Sequence, residues 1–246
     1  MTNLNGKSAL ITGGSRGVGA ATAKALAAQG AFVTLTYAQS AEGAQKVVQE
    51  IEAAGGKAQA VQADNRDEVA MAAAVEAATK YHDGLDVLVN NAGIFNVGPF
   101  EELDAAAFDQ TISVNVRGVY LITQAAVKKM NKGGRIITIG SNLAVRVPGP
   151  GMSLYAMSKA ALIGLTKALA REYGVREIAA NIVHPGSTDT DMNPADGPFS
   201  DAQRSLMAIP RYNQPTDVAN MVTWLAGSAS PTITGAEFTI DSGTNI

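Results

Sequence analysis

The alternation of two kinds of segment is the feature that most constrains the fold of this chain. Short apolar, β-branched segments predict strands at 8–12, 32–37, 57–63, 85–89, 136–139, 178–183 and 237–240. Between them, segments of helical periodicity predict helices near 20–29, 41–54, 66–81, 111–130, 153–173 and 216–226. This order predicts one α/β domain over residues 1–246. Its sheet is expected to be parallel and doubly wound, with seven strands in the order 3-2-1-4-5-6-7 and helices on both faces.

A glycine-rich loop directly follows the first predicted strand. It occupies residues 13–19, with the sequence Gly-Gly-Ser-Arg-Gly-Val-Gly, and it leads into an alanine-rich helix. Glycines permit a tight turn and a close approach of backbone, so the first amides of the helix can face a pyrophosphate. An ordinary glycine-rich turn is the alternative. The strand–loop–helix context favours the nucleotide-binding interpretation.

The end of the second predicted strand indicates which dinucleotide would bind. An NAD-binding chain places Asp or Glu about 20 residues beyond the glycine loop, where the carboxylate holds the ribose 2′-hydroxyl. Here the corresponding residues are uncharged: Thr36, Tyr37, Ala38 and Ser40. The first acid is Glu42, and Arg16 in the glycine loop can supply a cation to a 2′-phosphate. The pattern therefore predicts NADP(H), with a solvated loop charge as the alternative role of Arg16.

A serine, a tyrosine and a lysine that could act together lie between residues 141 and 159. Ser141 follows the predicted strand 136–139, and Tyr155 and Lys159 share one helix face because four residues separate them. An adjacent ammonium lowers the pKa of a tyrosine from its usual value of about 10, so the phenol could exchange protons near neutral pH. Taken alone, Tyr-x-x-x-Lys more often means a half-buried aromatic residue beside a solvated lysine.

Together these motifs resemble the short-chain dehydrogenase/reductase family over nearly the whole chain. The T-G-x-x-x-G-x-G loop of that family matches Thr12, Gly13, Gly17 and Gly19, and its N-N-A-G marker matches residues 90–93. The resemblance implies a Rossmann-type fold and the NADPH-dependent reduction of a ketone or aldehyde to an alcohol. A 3-oxoacyl-(acyl carrier protein) reductase is the specific alternative. A non-catalytic NADP-binding sensor and an interaction protein are the alternatives of another class.

The resemblance also implies a catalytic set of Asn115, Ser141, Tyr155 and Lys159. In it, Tyr155 donates the proton, Ser141 stabilises the developing oxyanion, and Lys159 holds the ribose and tunes Tyr155. Asn115 would relay protons. The following residues are predicted to bind the cofactor: Gly13, Ser15, Arg16, Gly17, Val18, Gly19, Tyr37, Ala38, Ser40, Asp64, Asn65, Asn91, Ala92, Gly93, Tyr155, Lys159, Pro185, Gly186, Thr188 and Thr190.

Residues 188–212 have little periodicity, as in a lid over a substrate. We expect an apolar substrate lining from Leu143, Val145, Val147, Met152, Met192, Phe199, Leu206 and Met207. Such a lining predicts a small to medium, largely uncharged or β-keto carbonyl compound as the substrate. Small residues on the helices near 111–130 and 153–173, together with the family resemblance, predict a homotetramer.

Composition argues against several other functions. The net charge of −3 leaves no basic surplus for nucleic acid, and a chain without cysteine has neither disulfides nor thiolate metal ligands. The only histidines, His82 and His184, lie far apart in sequence and are predicted to be structural, so no metal site is expected. The sequence has no secretion signal and no membrane-spanning run, which predicts a cytoplasmic protein.

Overall fold

All seven predicted strands lie side by side in one parallel sheet. The computed structural model describes residues 3–227 and 231–246, so residues 1, 2 and 228–230 of the predicted domain lie outside the described residues. The strand order is β3-β2-β1-β4-β5-β6-β7, which confirms the prediction. The strands are β1 (Ser8–Ile11), β2 (Phe32–Tyr37), β3 (Lys57–Gln62), β4 (Leu85–Asn90), β5 (Met130–Ile139), β6 (Ala179–Pro185) and β7 (Glu237–Ile240).

Helices cover both faces of the sheet. They are α1 (Gly17–Ala28), α2 (Ala41–Ala53), α3 (Glu68–Thr79), α4 (Ala105–Ile112), α5 (Gly118–Val127), α6 (Ser153–Tyr173), α7 (Ser200–Arg204) and α8 (Pro215–Ala226). Ile11 of β1 packs in the core formed with α1, α2 and α8, whereas its neighbour Leu10 packs in the core formed with α3, α5 and α6. Successive strand residues point to opposite faces, so the central strands are buried on both sides.

The helix predicted over 111–130 is the main error in the sequence-based elements. A continuous helical segment begins earlier with α4, passes through a π-helical turn at Ser113–Arg117, and ends with α5 at Val127. Its start has a side-chain signal that the prediction missed, because the Asp104 carboxylate accepts a hydrogen bond from the Ala107 amide at 2.8 Å. Its end was wrong because Met130 already pairs with Leu85 as the first residue of β5.

Several predicted boundaries shift by one or two residues. The Asp67 carboxylate caps α3 by accepting the amides of Val69 and Ala70, so that helix begins at Glu68 rather than at residue 66. The predicted start of β6 at 178 and the predicted end of β1 at 12 each move inward by one residue. Helix and strand ends fray, so shifts of this size are expected.

Within the described residues, none of the helices combines the length and the apolar composition needed to cross a membrane.

Candidate active site

The sequence motifs meet in one cleft along the carboxyl ends of the strands. The cleft has a volume of about 2130 Å³ and extends from the glycine loop to the segment before α7. Parallel strands present their carboxyl ends at one edge of the sheet, so loops that are distant in sequence meet there. Every predicted cofactor-binding residue lines this cleft, as do Ser141, Tyr155 and Lys159. Asn115 is not among the lining residues and is fully buried behind them.

The glycine loop is shaped by close backbone contacts. A Cβ atom at Gly19 would lie 2.2 Å from the carbonyl oxygen of Gly13, and one at Gly14 would lie 2.6 Å from the Cβ of Leu35. Side chains at these two positions would therefore require the loop or the strand beside it to move. The residues present thus form a cradle whose backbone amides at the start of α1 can reach an anionic ligand.

Asn91 and Thr12 hold this loop against the sheet. The Asn91 amide donates to the carbonyl oxygens of Thr12 and Gly13 at 2.9 and 3.0 Å. The Thr12 hydroxyl accepts the backbone amides of Asn91 and Ala92 at 2.9 and 3.0 Å. The loops after β1 and β4 are consequently one hydrogen-bonded unit at the point where the strand order reverses.

The end of the cleft near β2 and β3 carries two arginines, both ion-paired. The Arg16 guanidinium lies 3.4 Å from the Asp191 carboxylate, and both side chains are largely exposed. Arg66, which the sequence analysis did not select, donates to the Asp64 carboxylate at 2.7 Å. Hydrogen bonds from Arg66 hold the pKa of Asp64 below its usual value. Asp64 is thus an ionised hydrogen-bond acceptor on the cleft wall.

Asn65, a predicted cofactor contact, lies on the wall of the cleft. It is buried, and its side-chain amide lies 3.4 Å from the Val114 carbonyl oxygen of the π-helical turn. A Cβ at Gly118 would lie 2.5 Å from the Asn65 carbonyl oxygen, so α5 can approach this edge of the cleft only because residue 118 is glycine. The polar side chain at 65 is therefore accommodated by a contact to helix backbone.

Ser141, Tyr155 and Lys159 converge although they belong to a strand end and a helix. The Lys159 ammonium is buried, lies 5.8 Å from the centre of the Tyr155 ring and donates to the Ile139 carbonyl oxygen at 3.0 Å. The Ser141 hydroxyl accepts the Leu143 amide at 3.2 Å. Phe95 contacts the Tyr155 ring edge-on, with 4.7 Å between ring centres. The phenol is thus held by an aromatic neighbour beside Ser141 and Lys159.

The pKa shifts of this group correct the sequence-based expectation. Burial raises the pKa of Tyr155 to about 12, opposed by its hydrogen bond with Ser141. Burial lowers the pKa of Lys159 to about 8. The expected lowering of the Tyr155 pKa by the ammonium is therefore wrong for this arrangement, because desolvation of the phenolate dominates. At neutral pH Tyr155 keeps its proton, which is the state required of a proton donor.

Asn115 lies in the π-helical turn and connects the loop after β4 to the tyrosine helix. Its carbonyl oxygen accepts the Ile94 amide at 2.9 Å, and its amide donates to the Ile94 carbonyl at 3.0 Å and to the Ser158 hydroxyl at 3.1 Å. Ser158 in turn donates to the Tyr155 carbonyl oxygen at 2.7 Å. The sequence analysis did not select Ser158. The π-helical turn that carries Asn115 is a distortion often found at functional sites.

The segment predicted to be a lid is folded over the cleft and tied by side chains. Gln203 of α7 exchanges hydrogen bonds with Asn193 at 3.0 and 3.1 Å and accepts the Ser187 hydroxyl. Met192, Phe199 and Leu206 line the cleft as expected. Val145 and Val147 are exposed and Met207 is buried, and none of these three lines the cleft. Fewer apolar residues therefore line the cleft than the sequence predicted.

Over residues 3–227 and 231–246, no three His, Asp or Glu side chains are grouped in a way that could hold a metal ion.

Known proteins are similar to this chain over nearly its full length. The family model described as enoyl-(acyl carrier protein) reductase matches residues 13–245. A short-chain dehydrogenase from Burkholderia cenocepacia, solved in complex with NADP, is 56% identical; the match covers 99% of this chain and 100% of that one, with a TM-score of 0.97. The chain belongs to the short-chain dehydrogenase/reductase family. The family resemblance and the Rossmann-type fold predicted from the sequence are thereby confirmed.

Two further members of the short-chain dehydrogenase/reductase family show how varied its named functions are. A blue fluorescent protein from a metagenomic library, solved in complex with NADPH, is 48% identical with a TM-score of 0.96, over 99% of this chain and 100% of that one. A protein of Escherichia coli named cyclic-di-GMP-binding biofilm dispersal mediator is 44% identical over 98% of each chain. Membership alone therefore assigns neither substrate nor role.

Proposed function

We propose that this protein is an NADP(H)-dependent oxidoreductase that reduces the carbonyl group of a ketone or aldehyde to an alcohol. The observation that carries the proposal is the pairing of a protonated Tyr155 with Ser141 on the wall of the cleft, beside a buried Lys159. Two hydroxyl groups that converge on one point can bind a carbonyl oxygen and neutralise the charge that it develops. The reaction is reversible in principle.

The chain's own residues fit NADP(H). The glycine cradle and the start of α1 would hold the pyrophosphate, Arg16 and Ser40 the 2′-phosphate, and Asp64 the adenine edge. The segment from Pro185 to Thr190 would lie beside the nicotinamide, which supplies a hydride when the reduced cofactor is bound. The solved relatives that contain NADP or NADPH support this choice. The uncharged residues at the end of β2 add the physical reason, since a carboxylate there would repel a 2′-phosphate.

Each catalytic side chain then has one task. The Ser141 hydroxyl accepts the Leu143 amide and can donate its own proton to the substrate oxygen. Tyr155 holds its proton until that oxygen becomes basic, because burial disfavours the phenolate. Lys159, near its pKa of about 8, supplies positive charge behind the phenol and would hold the ribose. Asn115 and Ser158 fix the helix that carries Tyr155.

The apolar lining favours an uncharged or β-keto substrate. Phe95, Leu143, Met152, Met192, Phe199 and Leu206 line the substrate side of the cleft. An apolar pocket separates substrates that differ by one methylene by only about 1–3 kcal/mol. We therefore expect activity on several ketones rather than on one.

The decisive experiment is NADPH oxidation measured with a panel of substrates. The panel contains a β-ketoester, a cyclic ketone, an aldehyde, a β-ketoacyl thioester free and on its acyl carrier protein, and an enoyl thioester. Turnover of several free carbonyl compounds is the expected result. A preference of several hundredfold for the carrier-bound thioester would instead support the 3-oxoacyl-(acyl carrier protein) reductase. Such a preference corresponds to about 3 kcal/mol of additional transition-state binding from the carrier. Turnover of the enoyl thioester alone would contradict carbonyl reduction.

The Escherichia coli relative makes a non-catalytic nucleotide sensor the second candidate. Cyclic di-GMP carries two phosphates, and binding them would need cations that are free to reach the ligand. Arg66 at the β2–β3 end of the cleft is held on the Asp64 carboxylate by several hydrogen bonds, whereas the exposed Arg16–Asp191 pair can open, so this end offers one available cation for two phosphates. We therefore expect no binding of cyclic di-GMP by titration calorimetry under conditions in which NADPH binds. Binding of cyclic di-GMP without turnover of any carbonyl compound would favour the sensor.

Replacing Arg16 by alanine should reduce the preference for NADPH over NADH about 10- to 100-fold. The lost interaction is a charge-assisted hydrogen bond to the 2′-phosphate, and such bonds contribute about 1.5–3 kcal/mol. The measurement is kcat/KM with both cofactors at saturating substrate. Asp191→Asn is the matched control, because it removes the present partner of Arg16 and leaves the cation available, so the preference should hold or rise. Equal use of NADPH and NADH by the unmodified protein would contradict the assignment.

We also propose a homotetramer built on the α5 and α6 faces. Exposed apolar side chains on these helices, Tyr120 and Met157, lie among small residues that permit close helix packing. Gly164 on α6 is exposed, and a Cβ there would meet no atom within 4 Å. Light scattering at micromolar concentration should give the mass of four chains, and a monomeric mass would refute the proposal.

A further inference from the structure

His184 is a buried titratable side chain that the reaction as described does not use. It lies on β6 and has no exposed surface. Its imidazole packs against the segment that ends β5, directly beneath Ser141. The sequence analysis predicted a structural role because the two histidines lie far apart, but the contacts place this one against the serine of the candidate active site.

The imidazole contacts both backbone polar groups of Ser141. Its Nδ1 atom lies 2.9 Å from the Ser141 carbonyl oxygen and 3.2 Å from the Ser141 amide nitrogen. A Cβ at Gly140 would lie 2.5 Å from Nδ1, so the ring can approach this closely only because residue 140 is glycine. The position of the serine backbone is therefore coupled to the ring.

The other side of the ring faces a carboxylate that leads to the surface. Nε2 of His184 lies 3.3 Å from the Glu237 carboxylate on β7. The second oxygen of Glu237 lies 2.7 Å from the Lys167 ammonium on α6. Ionic and polar contacts thus run from the outer face of the tyrosine helix, through Glu237 and His184, to Ser141.

The Ser141 amide indicates which tautomer serves the serine. It donates to Nδ1 at 3.2 Å, which requires a lone pair on Nδ1 and the proton on Nε2, and the Ser141 carbonyl oxygen already accepts the Ala144 amide at 3.0 Å. Nε2 lies 3.3 Å from the Glu237 carboxylate without forming a hydrogen bond, so Glu237 adds a favourable charge on that side of the ring. The charged groups that face the ring are Glu237 on β7 and Lys159 and Lys167 on α6. Burial, the largest influence, lowers the pKa of His184, so the ring is neutral at pH 7.

We propose that His184 is a positioning residue for Ser141, which accepts the Ser141 amide at Nδ1 while the Glu237 charge lies beside Nε2. The inference rests on the proposed carbonyl reduction, in which the Ser141 hydroxyl must point at the substrate oxygen. The hydroxyl is joined to the anchored backbone by two bonds, so a small displacement of that backbone moves it out of hydrogen-bonding range. Protonation of the ring would place a hydrogen on Nδ1. Nδ1 could then no longer accept the Ser141 amide and would donate to the Ser141 carbonyl oxygen instead.

The first test replaces the ring by an apolar side chain and by a hydrogen-bonding one. His184→Leu should lower kcat about 10- to 100-fold while the Kd for NADPH, measured by fluorescence titration, stays within about twofold. His184→Asn places an acceptor near the position of Nδ1 and should restore most of the lost kcat. A loss of thermal stability in both variants, with kcat of the folded protein unchanged, would overturn the proposal.

The second test uses the pH profile and variants that leave the ring in place. In the unmodified protein kcat should fall on the acid side as His184 is protonated, and His184→Asn should remove this limb. Glu237→Gln removes the charge that favours the imidazolium, so the acid limb should move to lower pH. Lys167→Met, which alters only the surface ion pair, should keep kcat. An acid limb that is identical in all four proteins would overturn the proposal. Full kcat in Tyr155→Phe would instead show that the proposed reaction itself is wrong.

Discussion

Substituting phenylalanine for Tyr155 will lower kcat by about two to four orders of magnitude, the usual contribution of a general acid. Two described residues of α6 line the cleft, Tyr155 and Lys159, and the variant removes the hydroxyl of the first. That hydroxyl keeps its proton at neutral pH. The ring will still pack edge-on against Phe95. The Kd for NADPH should therefore remain within about twofold of its original value, which separates loss of chemistry from loss of binding.

Steady-state kcat with a good ketone and fluorescence titration of NADPH are the two measurements. Tyr120→Phe is the matched control, because it deletes the same hydroxyl from an exposed tyrosine of α5 and should leave both quantities unchanged. Lys159→Met should damage kcat and NADPH binding together, since Lys159 would hold the ribose as well as supply charge. Full kcat in Tyr155→Phe would mean that another group donates the proton.

The sheet could be predicted because its determinants are local. Most strands contain a short apolar segment bounded by a loop or a helix, and the right-handed crossover rule then leaves few possible strand orders. The location of the site follows from the same rule. Gly13, Asn91 and Ser141 all lie within two residues of a strand end, and the carboxyl ends of parallel strands share one edge. Order and location were therefore predictable even where strand ends were wrong, by as much as six residues at the start of β5, which was predicted at 136 and begins at Met130.

What the sequence could not provide depends on three-dimensional burial. The pKa of Tyr155 was predicted to fall because the sequence shows that Lys159 lies four residues away on the same helix. The sequence does not show the burial of Tyr155, which raises this pKa. The contacts that Asn115 makes with Ile94 and Ser158, and that His184 makes with Ser141, join residues 21 to 43 positions apart in sequence. No local pattern encodes such contacts. The side-chain caps at Asp67 and Asp104 were missed signals that could have been found, since Asp before a helical segment is a common start.

Alanine at Gly19 should reduce the affinity for NADPH by about 100-fold or more, the scale of loss that follows a displacement of about 1 Å in a preorganised site. The new methyl group would lie 2.2 Å from the Gly13 carbonyl oxygen and 2.5 Å from the Asn91 amide nitrogen. Neither neighbour can yield alone, because the same Asn91 amide donates to Thr12 and Gly13 and so holds the loop to β1. The start of α1 would have to move away from the loop, and its amides would no longer face the pyrophosphate.

Gly164→Ala is the matched control for the same substitution. Gly164 lies on α6, where a Cβ would meet nothing within 4 Å of the same chain, so alanine should leave NADPH binding unchanged. Helix propensity alone would raise the free energy of unfolding by about 0.5–1 kcal/mol, and close packing in the proposed tetramer would oppose that gain. In both variants, thermal unfolding measures the effect of the methyl group on stability, and NADPH titration measures its effect on cofactor binding. A fall in stability in Gly164→Ala, together with a smaller assembly, would mean that α6 packs closely against another subunit. A Kd for NADPH in Gly19→Ala within about threefold of that of the unmodified protein would mean that the glycine loop does not hold the cofactor. The reason is that a methyl group this close to backbone cannot be accommodated unless the loop moves.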